Sequence, residues 1–319
     1  MVEGKALTTK GHKGARSFFV FPFVFLRETC GKKMKINILH AGYCTAPEHI
    51  AIHDGRWRSI HFPAMFALLQ HPRFGAMLFD TGYSYRFFDE TKKFPMRFYR
   101  WLTPVTLREE DLVVNQLLNF DLRPKDITHV FISHFHADHI ASLPDLSWSR
   151  FVYMPHAFGH LRGLSPSEDL KHAFLRGLIP TDFDSRSQEV DMSKPVLLSE
   201  EYAPFKLGYD LLGDESIIGV ELPGHAHGQM GLFVRDEHDK LFFFVADAAW
   251  LKQSIIEDRP PHKITNLLFP DPEAYRKTLG NLHTYHLTHP ETHVIPSHCE
   301  DTIRFHESAH PAGIISHLT

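Results

Sequence analysis

Cysteine is nearly absent. The 319 residues hold three, Cys30, Cys44 and Cys299, and no C-x-x-C pair. That argues against both a disulfide framework and a Cys-rich zinc module. Charge of one sign is also lacking: 34 Lys and Arg stand against 38 Asp and Glu, a formal net charge of −4, and the sequence pI is near 6.7. A nucleic-acid partner, which needs a basic surface, is not expected. No apolar run after residue 34 reaches the roughly 20 residues that span a bilayer, so no membrane span is expected there. With 43% hydrophobic and 23% charged residues, a disordered or collagen-like chain is excluded as well. Two residues are abundant instead, 27 Phe and 25 His. Histidine binds metals and moves protons near neutral pH, which directs attention to where it clusters.

Residues 1–33 differ from the rest. Lys5, Lys10, Lys13 and Arg16 precede a short apolar run from Ser17 to Leu26 that Pro22 interrupts. The pattern resembles the start of a signal peptide but lacks a small-x-small cleavage site. The expected reading is a disordered or spurious extension, with Met34 as the start and a cytoplasmic protein; export through residues 1–33 is the alternative.

From residue 34 to 319 a single domain is expected, with strands alternating with longer segments. Strand patterns fall at 35–40, 75–79, 127–132, 151–154, 216–222, 232–234, 241–245 and 293–296. Residues 236–240 read as a hairpin turn between two of them. Apolar spacing predicts an amphipathic helix over 111–120. A second helix is expected over 271–287, with Pro272 in its first turn and Pro290 beyond its end. The stretch 159–212 has poor periodicity and reads as an insertion, with a lid as one use for it. The sum is a layered α+β domain.

The chemistry gathers where strands end. Directly after the apolar strand 127–132 comes Ser133-His134-Phe135-His136-Ala137-Asp138-His139, four metal-binding side chains in the order H-x-H-x-D-H. By composition alone this pattern arises in roughly one chain in a hundred. Its position on a loop leaving a strand lets His134 and His136 turn to one point, and Asp138 and His139 to another. Three further strand ends repeat the theme: Pro223-Gly224-His225, Phe244-Val245-Ala246-Asp247 and Pro296-Ser297-His298. An aspartate closing an apolar run is costly to bury unless paired or bound to a cation. Asp80-Thr81-Gly82 ends the strand at 75–79 in the same way.

In their order along the chain, these motifs resemble those of the metallo-β-lactamase-fold hydrolases, nearest the N-acyl homoserine lactonase-like branch. The likeness runs from Met34 to about residue 300. It implies a four-layer αββα sandwich with a binuclear metal site between the sheets. It also implies ligand roles: His134, His136 and His225 on one ion, Asp138, His139 and His298 on the other, and Asp247 bridging. Asp80 is the acid that orients a ligating histidine from behind. Ligands without thiolate suit two divalent ions, Zn²⁺ first, with Fe or Mn as alternatives. A water between two such ions ionises near neutral pH and needs no Ser or Cys nucleophile. Asp138 is also placed to pass a proton to the leaving group.

The sequence departs from that branch twice. Ile140-Ala141-Ser142 follows the D-H pair where Gly is usual. Trp250 stands three residues after Asp247, where a tyrosine contacts the substrate carbonyl. Indole N–H donates a hydrogen bond but cannot ionise or accept one, so Trp250 is expected as a catalytic donor to the substrate carbonyl, with a wall of an apolar pocket as the alternative. Phe62, Phe66, Phe87, Phe88, Phe94 and the run Met96–Trp101 mark where an apolar substrate tail is expected. A small ester-like substrate, lactone first, follows. Phosphodiesterase or nuclease, thioesterase and iron-dependent dioxygenase activities are the rivals. The 21 residues after His298 leave little room for a glutathione-binding tail.

Overall fold

The computed structural model describes residues 33–302, so the expectations for the N-terminal extension fall outside the described residues. Thirteen strands follow along the chain: β1 Lys35–Pro47, β2 Ser59–His71, β3 Gly75–Phe79, β4 Val105–Thr106, β5 Ile127–Phe131, β6 Arg150–Tyr153 and β7 Ser187–Glu189, then β8 Val196–Leu197, β9 Leu207–Asp210, β10 Ile217–Glu221, β11 Met230–Arg235, β12 Leu241–Ala246 and β13 His293–Pro296. They form two sheets, ordered β4-β1-β2-β3-β5-β6-β7 and β13-β12-β11-β10-β9-β8. Both are mixed: β3, β5, β6 and β7 run parallel, as do β12 and β13, and the remaining pairs are antiparallel.

Why two layers stack follows from side-chain alternation. Met65, Ala67, Leu69, Met77 and Phe79 on one sheet meet Met230, Leu232, Val234, Phe242 and Phe244 on the other, forming the inner core. The alternate residues of the same strands point outward and are buried too. Phe66, Leu68, Leu78 and Val130 pack under the helical segments outside the first sheet. Phe233, Phe243 and Val245 pack with Leu279, Leu282 and Tyr285 of the helix Pro272–Thr288. Covering both faces of both sheets yields the four-layer αββα sandwich. Each fully buried Phe or Leu contributes roughly 1.5–3 kcal/mol.

The helix Pro272–Thr288 starts as its sequence dictates. Asp271 accepts a hydrogen bond from Ala274 N at 2.9 Å, and Pro272 occupies the first turn. Elsewhere the structure corrects the expectations. The helix over 111–120 is broken into Glu109–Asp111, Val113–Gln116 and Leu117–Phe120, with extended Leu112 between and left-handed Asp121 (φ 56°) at the end. Asp111 pins the break by accepting from Arg108 N and its guanidinium at 2.9–3.2 Å. The 13-residue β2, unmarked in the sequence pattern, runs beside β1 through the centre of the first sheet. Phe66 and Phe87, expected at an entrance, are core residues, whereas Phe94, Phe98 and Trp101 are exposed. His283 and His289 are half-buried against the backbone carbonyls of Ile255 and Ala203.

Residues 159–212 are built into the body. Phe174, Leu175, Leu178 and Phe183 join the core outside the first sheet, while β7 edges that sheet and β8 and β9 edge the second. Among the described residues no helix is long and apolar enough to cross a membrane.

Candidate metal centre

Every sequence-predicted ligand comes from a turn that leaves a strand, and the turns lie at one edge of the sandwich. The first sheet delivers Asp80 after β3 and the run 133–139 after β5. The second delivers His225 after β10, Asp247 after β12 and His298 after β13. Cross-links tie the two edges together: Met230 N donates to Ser133 O at 2.9 Å, and Met65 N to Ser297 O at 3.4 Å.

Local backbone explains the placement. Gly224 has φ +128°, and a Cβ there would lie 2.1 Å from Tyr275 N. Only glycine lets the chain turn against the start of the long helix and present His225. Gly82 has φ +63°, and its Cβ would fall 2.4 Å from that of Ala41, so the Asp80-Thr81-Gly82 turn can tuck into the sheet edge.

The side chains converge in two groups. His134, His136, His225 and Asp247 offer ligand atoms all within 4.8 Å of one another, and so do Asp138, His139 and His298. Asp247 reaches both: its Oδ2 lies 3.2 Å from His225 Nε2 and 3.1 Å from His298 Nε2, and its Oδ1 lies 3.4 Å from His139 Nε2. Asp138 Oδ2 stands 3.4 Å from His298 Nε2 and 3.6 Å from His139 Nε2. All but half-buried His136 are buried.

Three imidazoles are oriented from behind. His139 Nδ1 donates to Asp80 Oδ2 at 2.7 Å, and His298 Nδ1 donates to Pro63 O at 2.8 Å. Ser133, which the sequence reading passed over, completes the set. Its Oγ donates to Asp80 Oδ2 at 2.7 Å and so accepts from His134 Nδ1 at 3.0 Å, while its N–H donates to Asp80 Oδ1 at 2.8 Å. When neutral, each of these rings thereby keeps its proton on Nδ1 and leaves the Nε2 lone pair for a cation, the tautomer a metal requires. The available signal for Ser133 was its place between the apolar strand and the first histidine.

The electrostatics match. Burial, with neighbouring imidazoles, holds His134 and His136 well below the usual histidine range, so both stay neutral. For His139 burial opposes the charge, but Asp138, Asp80 and Asp247 outweigh it and hold its pKa well above that range. Burial also works against ionised Asp247, and the facing His298, His139 and His225 reverse the balance, holding it well below the carboxylate range. Yet His134 Nε2, His139 Nε2 and Asp247 Oδ1, which face one another across the cluster, are buried without hydrogen-bond partners. Unsatisfied buried polar atoms cost about 1–3 kcal/mol each. A hard-to-bury set of lone pairs pointing together is what cations relieve, so the residues present fit two divalent ions.

Trp250 is not aimed at open space. Its indole N–H donates to Asp247 Oδ2 at 3.1 Å, and its ring packs near Phe62, His225 and Phe269. Phe62 also sits 5.6 Å from the His298 ring, so it walls the site. A cleft beside the first group is lined by Phe135, Leu161, Leu268 and Pro270 together with His136 and His225.

Comparisons with known proteins agree with this architecture. The N-acyl homoserine lactonase AttM of Rhizobium radiobacter is 24% identical over 227 residues, 68% of this chain and 77% of AttM. An N-acyl homoserine lactone hydrolase solved with N-hexanoyl-L-homoserine at its catalytic metal centre superposes with a TM-score of 0.64 at 17% identity, covering 86% of this chain and 96% of that one. The dizinc quorum-quenching lactonase AidC superposes at 0.57 with 14% identity, covering 84% and 91%. Residues 68–287 match the profile of the metallo-beta-lactamase superfamily, and the chain belongs to that family.

Proposed function

We propose that this chain is a dinuclear metal-dependent hydrolase of small carboxylic esters, with a lactone as the preferred substrate. The observation that carries the reading is Asp247 standing between two ligand groups in which His134 Nε2, His139 Nε2 and Asp247 Oδ1 are buried without partners. His134, His136 and His225 would hold one ion, Asp138, His139 and His298 the other, and Asp247 both. When bound, the two ions acidify a water molecule and polarise a carbonyl oxygen, which removes the need for a nucleophilic side chain.

The chain's own groups do the rest. Asp80 and Ser133 fix the ring orientations of His139 and His134. Asp138, at the mouth of a single helical turn, Ala137–Ile140, is placed to carry a proton to the departing alkoxide. Trp250 is a positioning residue: with its N–H on Asp247 it sets that carboxylate and leaves its ring as an apolar wall. Exposed Leu268 and Pro270, at the rim of the cleft beside His136 and His225, would offer apolar surface to an acyl tail. The relatives whose names state N-acyl homoserine lactonase activity support an ester carbonyl as the target.

A panel of lactones, aryl esters, thioesters and phosphodiesters tests the reading, assayed before and after chelation and after adding Zn²⁺ back. Lactone turnover that chelation abolishes and zinc restores is expected. Phosphodiester turnover with no carboxylic-ester turnover would overturn it.

A further inference from the structure

A second histidine cluster lies outside the centre just described. His160, His172 and His227 come from three separate segments, yet one ring nitrogen of each lies within 4.8 Å of one from each of the others. The rings of His160 and His227 are 4.0 Å apart between centroids, those of His160 and His172 5.2 Å, and those of His172 and His227 6.0 Å. Residues clustered only by sequence proximity would not do this, since 67 residues separate His160 from His227.

The backbone holds the arrangement. Gly228 has φ +61°, and a Cβ on it would lie 2.7 Å from Ala157 Cβ and 2.9 Å from Pro155 O. That close approach seats the loop bearing His227 on the loop leading to His160. His172 ends the short helix Pro166–Lys171, which is fixed at both ends. Ser165 and Glu168 form its capping box at 2.6–3.4 Å, and Asp169 accepts from the Arg176 guanidinium at 2.6 and 2.8 Å. Glu168 is thus engaged with the cap, and the cluster offers three imidazoles and no carboxylate as ligands, with Glu168 and Asp169 nearby.

We infer that His160, His172 and His227 form a third metal site, a three-imidazole site for a late first-row dication such as Zn²⁺. Zinc–nitrogen bonds of about 2.0–2.1 Å bring tetrahedral ligand nitrogens to about 3.3 Å. Partly exposed rings reach that spacing by small rotations about their side-chain bonds. Neutral nitrogen donors alone select zinc, copper, nickel or cobalt over magnesium and calcium. Three protein ligands leave one position for water or a passing anion. His172 and His227 also line the cleft that contains His136 and His225. An ion here would sit at the approach to the dinuclear centre, and excess zinc would slow turnover by occupying it. That last consequence rests on the hydrolase reading; the binding itself does not.

The test is a count of bound ions. Purified holoprotein is dialysed against rising free Zn²⁺ and, in parallel, titrated with Co²⁺ while the visible d–d absorption is followed. The expected result is one further, weaker equivalent beyond the tight ions, absent from a His160→Ala/His172→Ala variant whose tight ions and melting temperature are unchanged. Wild-type protein that takes up no further equivalent would overturn the inference. So would a further equivalent that the double variant retains. If the variant melts lower, His160→Gln, which keeps a polar side chain on the exposed loop, replaces it, and loss of the weak equivalent is again required. Should the tight pair be missing while one ion binds and is lost in the variant, the third site stands and the hydrolase reading fails.

Discussion

The two sheets bring their ligands to the centre by different means. The first contributes a contiguous run, 133–139, whose rings are steered by side chains: Asp80 holds His139, and Ser133 holds His134. The second contributes one residue from each of three turns, and there the backbone does the steering. Gly224 turns under Tyr275, Ala246 adopts φ 47° ahead of Asp247, and the Pro63 carbonyl from the opposite sheet holds His298.

The largest effect should come from the residue shared by both halves. On the dinuclear reading Asp247→Ala would take a ligand from both ions, and the loss of several kcal/mol of transition-state stabilisation corresponds to at least about a thousandfold fall in kcat/KM. Metal analysis should find neither ion retained at full occupancy, whereas His298→Ala should keep one. Retention of both ions by the Asp247 variant would contradict a bridging role. In the side-chain-steered half, Asp80→Asn should weaken metal affinity about 10–100-fold, with activity recovering in excess Zn²⁺. Failure to recover would mean that Asp80 acts on the fold and not through His139. In the backbone-steered half, Gly224→Ala forces a side chain into strained backbone and into Tyr275. We expect a loss of about 1–3 kcal/mol, read as a melting temperature several degrees lower that added metal does not fully restore. An unchanged melting point would show that the turn can relax.

The smallest effect is a pH trend. Without metal, His139 has its pKa raised by the surrounding carboxylates. Its stabilising contribution is therefore fully present below the unfolded value and is lost as pH rises through the folded value. Metal requires the neutral ring, so binding competes with this proton. The gap in melting temperature between metal-loaded and metal-free protein should widen from pH 6 to pH 9. A gap that narrows would contradict the assignment of His139 as a ligand.

The same contrast explains what could be read from the sequence. A contiguous H-x-H-x-D-H run is visible because its ligands share one loop. His225, Asp247 and His298 are visible because each follows an apolar strand, so a polar residue there stands out. β2 escaped notice because Pro63 lies within it and Phe62 through Leu69 are buried on both faces, which removes the alternation that marks a strand. Ser133 shows only its place between the apolar strand and the first histidine, since its role arises from Asp80, 53 residues away. The trio of His160, His172 and His227 was equally hidden, because only the approach of Gly228 to Ala157 brings its members together.

Diffraction from zinc-loaded crystals at the zinc absorption edge tests the central claim most directly. Two strong anomalous peaks are expected about 3.5–4 Å apart, one among His134, His136 and His225, the other among Asp138, His139 and His298, with Asp247 between them. A single peak among these side chains, or none there, would contradict the account, whereas a further, weaker peak among His160, His172 and His227 would not.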